Sequence, residues 1–382
     1  MRRALFDEDH ELFRATLREF LTKEIVPVYP EWERDHGVPR EIFRQLGELG
    51  VMGINMPTEH GGAGEGDYLY NVVIQEEVAR AGVTIGSLRT QLDIILPYFR
   101  AYATPEQRER WFAGIAAGEL LTAIAMTEPD TGSDLAGVRT SAVRDGDHYV
   151  LNGSKTFITG GLLADLVIVL ARTTRDDDNR RHGLTLLVVE AGMPGFEKGR
   201  KLDKIGLQTQ DTVELSFSDV RVPVANRLGD EDIAFSYLGH NLPQERLAIA
   251  VGAVASSRAA LEATVDYVRA RKIFGQHVSD FQNTKFELAA VATEIEAAES
   301  MLDRALAEFR REELTPVDAA KTKLFCTEVQ GRVMDRCLQL HGGYGYITEY
   351  RIAGLYADAR VTRIYGGTSE VMKSIISKSL GL

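Results

Sequence analysis

Five short stretches of the 382-residue chain carry residue types that could do chemistry. They are Ala125-Met126-Thr127-Glu128-Pro129-Asp130-Thr131-Gly132-Ser133-Asp134, Lys155-Thr156-Phe157-Ile158-Thr159-Gly160-Gly161, Arg271-Lys272-Ile273-Phe274-Gly275 with Phe281-Gln282 shortly after, Gln339-Leu340-His341-Gly342-Gly343-Tyr344-Gly345, and Ile364-Tyr365-Gly366-Gly367-Thr368-Ser369-Glu370. Arg271 offers an always-charged, bidentate fork that suits a pyrophosphate. Gly342 and Gly343 let backbone approach a ligand closely. Each feature has an ordinary alternative: strand or turn threonines at 127 and 159, a turn serine at 133, a surface arginine, a helix-stopping Gly-Gly. No glycine run lies between a strand and a helix of a βαβ unit, so a nicotinamide site is not expected. His341 has no second ligand at metal spacing, and no metal is expected.

Taken in order and spacing, the five stretches resemble the acyl-CoA dehydrogenase family over nearly the whole chain. The resemblance implies FAD as cofactor. Met126, Thr127, Ser133, Phe157, Ile158 and Thr159 would border the flavin, with Thr159 donating to its N5 and Phe157 lying against the ring. Arg271, Phe274, Phe281, Gln282, Gln339, Leu340, Gly342 and Gly343 would reach the FAD of a neighbouring subunit, and Thr368 and Glu370 would close the site. A homo-oligomer, a homotetramer in this family, is therefore implied.

One position departs from the family. Many members carry a glutamate in a Tyr-Glu-Gly-Thr version of the last stretch, and that glutamate removes the α-proton. Here the position is Gly366, which cannot take a proton. The long-chain and isovaleryl branches, which this chain most resembles, place the glutamate instead on the first long helix of the C-terminal domain, before an arginine. Leu242-Pro243-Gln244-Glu245-Arg246 supplies that pair, and Glu245 is the expected base. Locally, Glu245 also reads as a first-turn acid after Pro243, with Asn241 and Gln244 as a capping pair. Arg246 points roughly 100° round the helix and would serve the CoA side. Ser133, Tyr365 and Gly366 complete the expected substrate contacts.

The implied reaction is α,β-desaturation of an acyl-CoA to the trans-2-enoyl-CoA. Glu245 takes the α-proton, hydride leaves for flavin N5, and the thioester oxygen is held by a flavin hydroxyl and a backbone N–H near Gly366. Electrons then pass to an electron-transfer flavoprotein. A flavin oxidase or monooxygenase, a dehydrogenase of carrier-protein thioesters, and a flavin-free scaffold stay open as alternatives. Chain length is open too. The helix expected beside the acyl group carries Thr90, Gln91 and Asp93, expected to face solvent; if they line the pocket instead, a short, branched or functionalised acyl group follows.

These residues need a frame. Residues 1–120 read as helical, with Leu12, Phe13, Leu17 and Phe20 at helical spacing and Thr104-Pro105 as a helix start. Residues 121–228 read as β, from Tyr149-Val150-Leu151, the runs 166–170 and 184–189, and alternating 213–217. Residues 229–382 read as long alanine-rich helices. The fold class is α+β: an N-terminal helical domain, a middle β-barrel or sandwich domain and a C-terminal four-helix bundle.

Composition sets the outer limits. The net charge of −12 disfavours nucleic acid as a partner. No run approaches the roughly 18 apolar residues of a membrane span, and no membrane partner is expected. The opening Met1-Arg2-Arg3 is followed by Asp7, Glu8 and Asp9 and does not read as a signal or transit peptide. Cys326 and Cys337 lack metal spacing and fit a reducing cytoplasm.

Overall fold

The computed structural model describes residues 3–382; Met1 and Arg2, part of the opening weighed as a leader, lie outside the described residues. The chain starts with helices α1 (Glu8–Phe20), α2 (Tyr29–Arg34), α3 (Glu41–Glu48), α4 (Leu69–Ala81), α5 (Leu88–Thr90), α6 (Leu96–Tyr102) and α7 (Pro105–Ala116). The start of α7 follows its sequence: Thr104 Oγ1 accepts from the Gln107 N–H, and the Gln107 side chain accepts from the Thr104 N–H. Between α5 and α6 the chain makes a π-helical turn over Gln91–Ile95, closed by the Leu96 N–H on the Gln91 carbonyl. Such wide turns are concentrated at functional sites.

The middle of the chain forms β1 (Thr122–Ala125), β2 (Ser141–Asp145), β3 (His148–Thr159), β4 (Leu166–Arg172), β5 (Leu184–Glu190), β6 (Phe196–Lys201), β7 (Thr212–Pro223) and β8 (Arg227–Leu228). The strand order is β6-β7-β3-β2-β4-β5-β8, with β1 paired in parallel to β4. The unbroken apolar run of β4 is explained by burial on both faces. Leu166, Ile168 and Leu170 join the core of the N-terminal helices, while Val167, Val169 and Ala171 pack with β3 and β7 on the other side.

The C-terminal helices are α8 (Ala234–Ala270), α9 (Gln282–Arg310) and α10 (Pro316–His341), followed by the shorter α11 (Arg351–Ala359) and α12 (Ser369–Ser379). A small hairpin, β9 (Lys272–Ile273) with β10 (Gln276–His277), joins α8 to α9. Leu69 and Val72 of α4 share the bundle core with Leu247, Val251, Leu302 and Val333. On length and composition alone α8 could cross a bilayer, yet 61 % of its apolar stretch is buried inside the protein. A helix that is apolar all round is also what a bundle interior needs.

Two local expectations fail. Helix α8 does not begin after Pro243; it begins at Ala234 and runs through the proline. Burial of Ala234 and Leu238 holds the early turns in place despite the missing N–H. Asn241 is therefore no cap: its Nδ2 donates to the Tyr102 hydroxyl and the Tyr237 carbonyl. Nor do Thr90, Gln91 and Asp93 face solvent. All three are buried: Asp93 is met by Asn71 and Gln75 of α4, and Gln91 by Ser87 and Thr122, partners that a sequence pattern does not reveal.

Candidate active site

The strand-borne part of the site is pinned by one buried ion pair. Lys155 is fully buried; its Nζ donates to Glu128 Oε1 at 2.9 Å and to the Met126 carbonyl at 3.0 Å. Burial pushes this ammonium down to about 8, against the pull of Glu128. The Glu128 carboxylate also accepts the N–H groups of Arg139 and Thr140, and despite burial it sits below the ordinary carboxylate value. The Thr156 N–H donates to the Thr127 carbonyl at 2.9 Å, so Met126-Thr127 and the end of β3 are tied together. Sequence reasoning quoted Glu128 and Lys155 without a role; their task is to hold this loop.

Register shifts between β3 and β7 around Lys155 and Ile158 mark a bulge. Within it Phe157 adopts φ +59° and leaves its ring 67 % exposed. A left-handed, exposed phenylalanine is costly unless something flat covers it. Thr127 and Thr159 are half-buried at the same sheet end, with hydroxyls that no described residue hydrogen-bonds. An uncovered ring beside half-open hydroxyls fits the edge and face of an isoalloxazine. Ile158 turns into the β core, so only its backbone is offered there. Ser133 is exposed on the adjoining loop.

The proton-accepting part is built by α8. Glu245 is partly accessible, with its pKa raised above the ordinary 4.5: burial lifts it, while Arg246, Arg89 and Lys323 pull it down. Arg246 is buried, and its Nε has no hydrogen-bond partner. Arg89 stacks over the Tyr365 ring and donates to its hydroxyl at 2.9 Å. Lys323 Nζ donates to the Gly367 carbonyl at 2.6 Å and is pushed down to about 8, mainly by burial. Neither Arg89 nor Lys323 was singled out from sequence. A signal existed for Lys323: it shares a helical face with Ala319, Ala320, Cys326 and Gln330, all buried.

The two places where this chemistry can keep its glutamate meet at one point. A Cβ placed on Gly366 would lie 3.5 Å from Glu245 Oε1 and 2.3 Å from Ile249 Cδ1. Gly366 has φ +61°, a conformation that favours glycine. Gly366→Ala is expected to cost about 2 kcal/mol from left-handed strain and overlap with Ile249. A shift in the urea midpoint measures it; an unchanged midpoint would show that the loop relaxes freely.

The sheet end and the base adjoin through α5. Gly160 packs so closely on Ser87 that a Cβ would come within 2.8 Å of it, and Ser87 precedes the turn that carries Arg89. A cavity of about 400 Å³ leads away from Tyr365 and Ile249 between α4, the π turn and α8. Asp93 lines this cavity and does not face solvent. Gln91 and Thr90 do not line it; Gln91 instead accepts from the Thr122 N–H and donates to Ser87.

The other expected cofactor residues stand elsewhere. Arg271, at the C-cap of α8, is exposed and lies over the Tyr344 ring. Phe274 is 93 % exposed at φ +49°; Gln282, Gln339, Gly342 and Gly343 are also exposed, with Phe281 and Leu340 half-buried. Glu245 and Arg271 stand 26 positions apart on one helix, about 39 Å along its axis at 1.5 Å per residue. One chain does not bring them to one cofactor. Thr368 caps α12 through its side chain, and Glu370 is exposed in the first turn. Among the described residues, no group of three or more His, Cys, Asp or Glu side chains could hold a metal ion.

Three family models match the chain: the N-terminal domain of acyl-CoA dehydrogenase over residues 7–119, its middle domain over 123–220 and its C-terminal domain over 235–381. The long-chain specific acyl-CoA dehydrogenase of Rattus norvegicus mitochondria is 44 % identical over 378 residues, 99 % of this chain and 88 % of that protein. The crystal structure of an acyl-CoA dehydrogenase from Geobacillus kaustophilus superposes with a TM-score of 0.97 at 43 % identity, covering all of both chains. A glutaryl-CoA dehydrogenase from Mycobacterium smegmatis in complex with FADH2 superposes with a TM-score of 0.90 at 29 % identity, covering 98 % of this chain and 95 % of that one. The matches run through every element that carries the site, so the chain belongs to the acyl-CoA dehydrogenase family, FAD-dependent oxidoreductases that act on the CH–CH group of acyl-CoA.

Proposed function

We propose that Glu245 is the base that removes the α-proton of an acyl-CoA, in the manner of the long-chain and isovaleryl branches. The observation that carries this is the convergence of Glu245 Oε1 on the point where a side chain at Gly366 would begin. Its raised pKa makes the carboxylate a stronger acceptor. Arg89 and Lys323 keep enough of it ionised, and Lys323 holds the Tyr365-Gly366-Gly367 loop in place through the Gly367 carbonyl. The backbone near Gly366 then holds the thioester oxygen, whose developing charge must be stabilised for the α-proton to leave. Arg246, buried with a free Nε, supports a contact on the CoA side of the substrate, with Ser133 and Tyr365 bordering it.

Met126, Thr127, Ser133, Phe157, Ile158 and Thr159 hold the flavin ring, and Thr368 and Glu370 close the same pocket. Bound FAD supplies the two-electron oxidant for the β-hydrogen. The remaining contacts, from Arg271, Phe274, Phe281, Gln282, Gln339, Leu340, Gly342 and Gly343, come from a neighbouring copy. The span along α8 supports this, since FAD is shorter than the distance from Glu245 to Arg271. A homotetramer and an electron-transfer flavoprotein as acceptor follow from the family. Two free, buried cysteines support a reducing cytoplasm as its setting.

Anaerobic titration of the yellow protein with a panel of acyl-CoAs tests the reading. Stoichiometric bleaching of the flavin by at least one acyl-CoA, in a particle of four chains by light scattering, is expected. Rapid peroxide formation when the reduced protein meets air would point to an oxidase instead.

A further inference from the structure

The acyl cavity carries a polar cluster that a hydrocarbon chain cannot use. Asp93 is completely enclosed, and both of its oxygens are occupied: Asn71 Nδ2 donates to one at 2.9 Å and Gln75 Nε2 to the other at 2.9 Å. The carboxylate thereby fixes both amides with their nitrogens inward. Their oxygens, Asn71 Oδ1 and Gln75 Oε1, are buried and have no hydrogen-bond partner among the described residues. Both residues line the cavity that opens beside Ile249, one turn from Glu245 on α8. Gly252 of α8 gives Gln75 Oε1 its room: a Cβ there would press on it at 3.1 Å.

Resting on Glu245 as base and this cavity as acyl pocket, we propose that the enzyme selects acyl groups bearing a hydroxyl along the chain, which donates to Asn71 Oδ1 or Gln75 Oε1. The ligand must bring a donor, because both free atoms are acceptors. It must be neutral. A carboxylate would meet Asp93 and two carbonyl oxygens, and an ammonium would meet Arg89, whose charge reaches Asp93 and opposes the burial that lifts that carboxyl to about 7. A plain chain here brings no donor to either oxygen, and an unpaired buried acceptor is the penalty that lets a site reject an analogue lacking the matching group. Ile74, Leu92 and Ile249 give the part of the lining nearest the cluster an apolar surface for methylenes, while Glu33, Glu349, Arg351 and Asp358 line other parts of the cavity.

The test uses the FAD-loaded enzyme and matched substrates: dodecanoyl-CoA against its positional hydroxy isomers from mid-chain to the end, with an octanoyl series in parallel. At least one isomer is expected to exceed its parent in kcat/KM by about tenfold or more. In Gln75→Met and in Asn71→Leu that ratio should fall toward one, whatever the absolute rate. The wild-type ratio stands on its own if a variant does not fold. Plain chains that match or beat every isomer would overturn the inference while leaving Glu245 as base intact. Failure of every acyl-CoA to bleach the flavin would overturn the dehydrogenase reading itself, and this one with it.

Discussion

Glu245→Gln should keep its yellow flavin and lose bleaching by acyl-CoA, with a fall in kcat of about 10²–10⁴-fold or more. Glutamine preserves volume and hydrogen-bonding reach but cannot take a proton. In the parent enzyme kcat/KM should rise with pH through one ionisation lying above the ordinary glutamate value of 4.5, since burial raises the pKa and only the ionised form acts. That limb should vanish in the variant. Stability should move the other way. Burial favours the protonated folded form, so this group's contribution is fully present below pH 4.5 and is lost as pH rises through the folded pKa. Glutamine has no charge to bury, so the variant should melt higher than the parent at neutral pH. Full activity in the variant would remove Glu245 from the mechanism; an unchanged melting temperature would show that the site stays well solvated.

The second large effect is on the fold. Glu128→Leu leaves Lys155 buried without its counter-charge and strips the acceptor from the Arg139 and Thr140 amides. Removing one partner of a buried pair costs about 3–5 kcal/mol, a large share of a stability that is typically about 5–15 kcal/mol. Lys155→Met should cost less, because Glu128 keeps two backbone donors. The double variant should recover part of the loss while the two amides stay bare. Urea midpoints give the energies. Retention of FAD on gel filtration reports whether the Met126-Thr127 loop has loosened, since Lys155 also holds the Met126 carbonyl. Wild-type midpoints in Glu128→Leu would mean that water replaces the carboxylate without cost.

What the sequence made legible follows how local each feature is. The start of α7 needs only Thr104, Pro105 and Gln107, and it forms as read. The strands at 166–172 and 184–190 are declared by their own apolar runs. Glu245 is legible as a candidate because glycine at 366 leaves the last stretch without a carboxylate at that position. The start of α8 was misread because Pro243 is a strong local stop, while the burial of Ala234 and Leu238 depends on distant partners. Asp93 was misplaced for a similar reason. Its partners Asn71 and Gln75 lie on another helix, 22 and 18 positions away. The π turn also shifts the helical phase on which an inside-or-outside reading depends.

That turn has a consequence for how such a pocket changes over descent. A wide turn holds one residue more than an ordinary helix needs. Deleting a single residue within Gln91–Ile95 would replace the i→i+5 bond by an ordinary i→i+4 bond, leaving the segments on either side in phase while the residues inside the turn change face. Asp93, inside the turn, would part from both of its amides in one genetic event, while Arg89, before it, would keep Tyr365. Point replacements can only trim this lining side chain by side chain. Gain or loss of one codon turns the residues inside the turn together, so relatives that differ in length at this position are the ones to compare for a change of substrate.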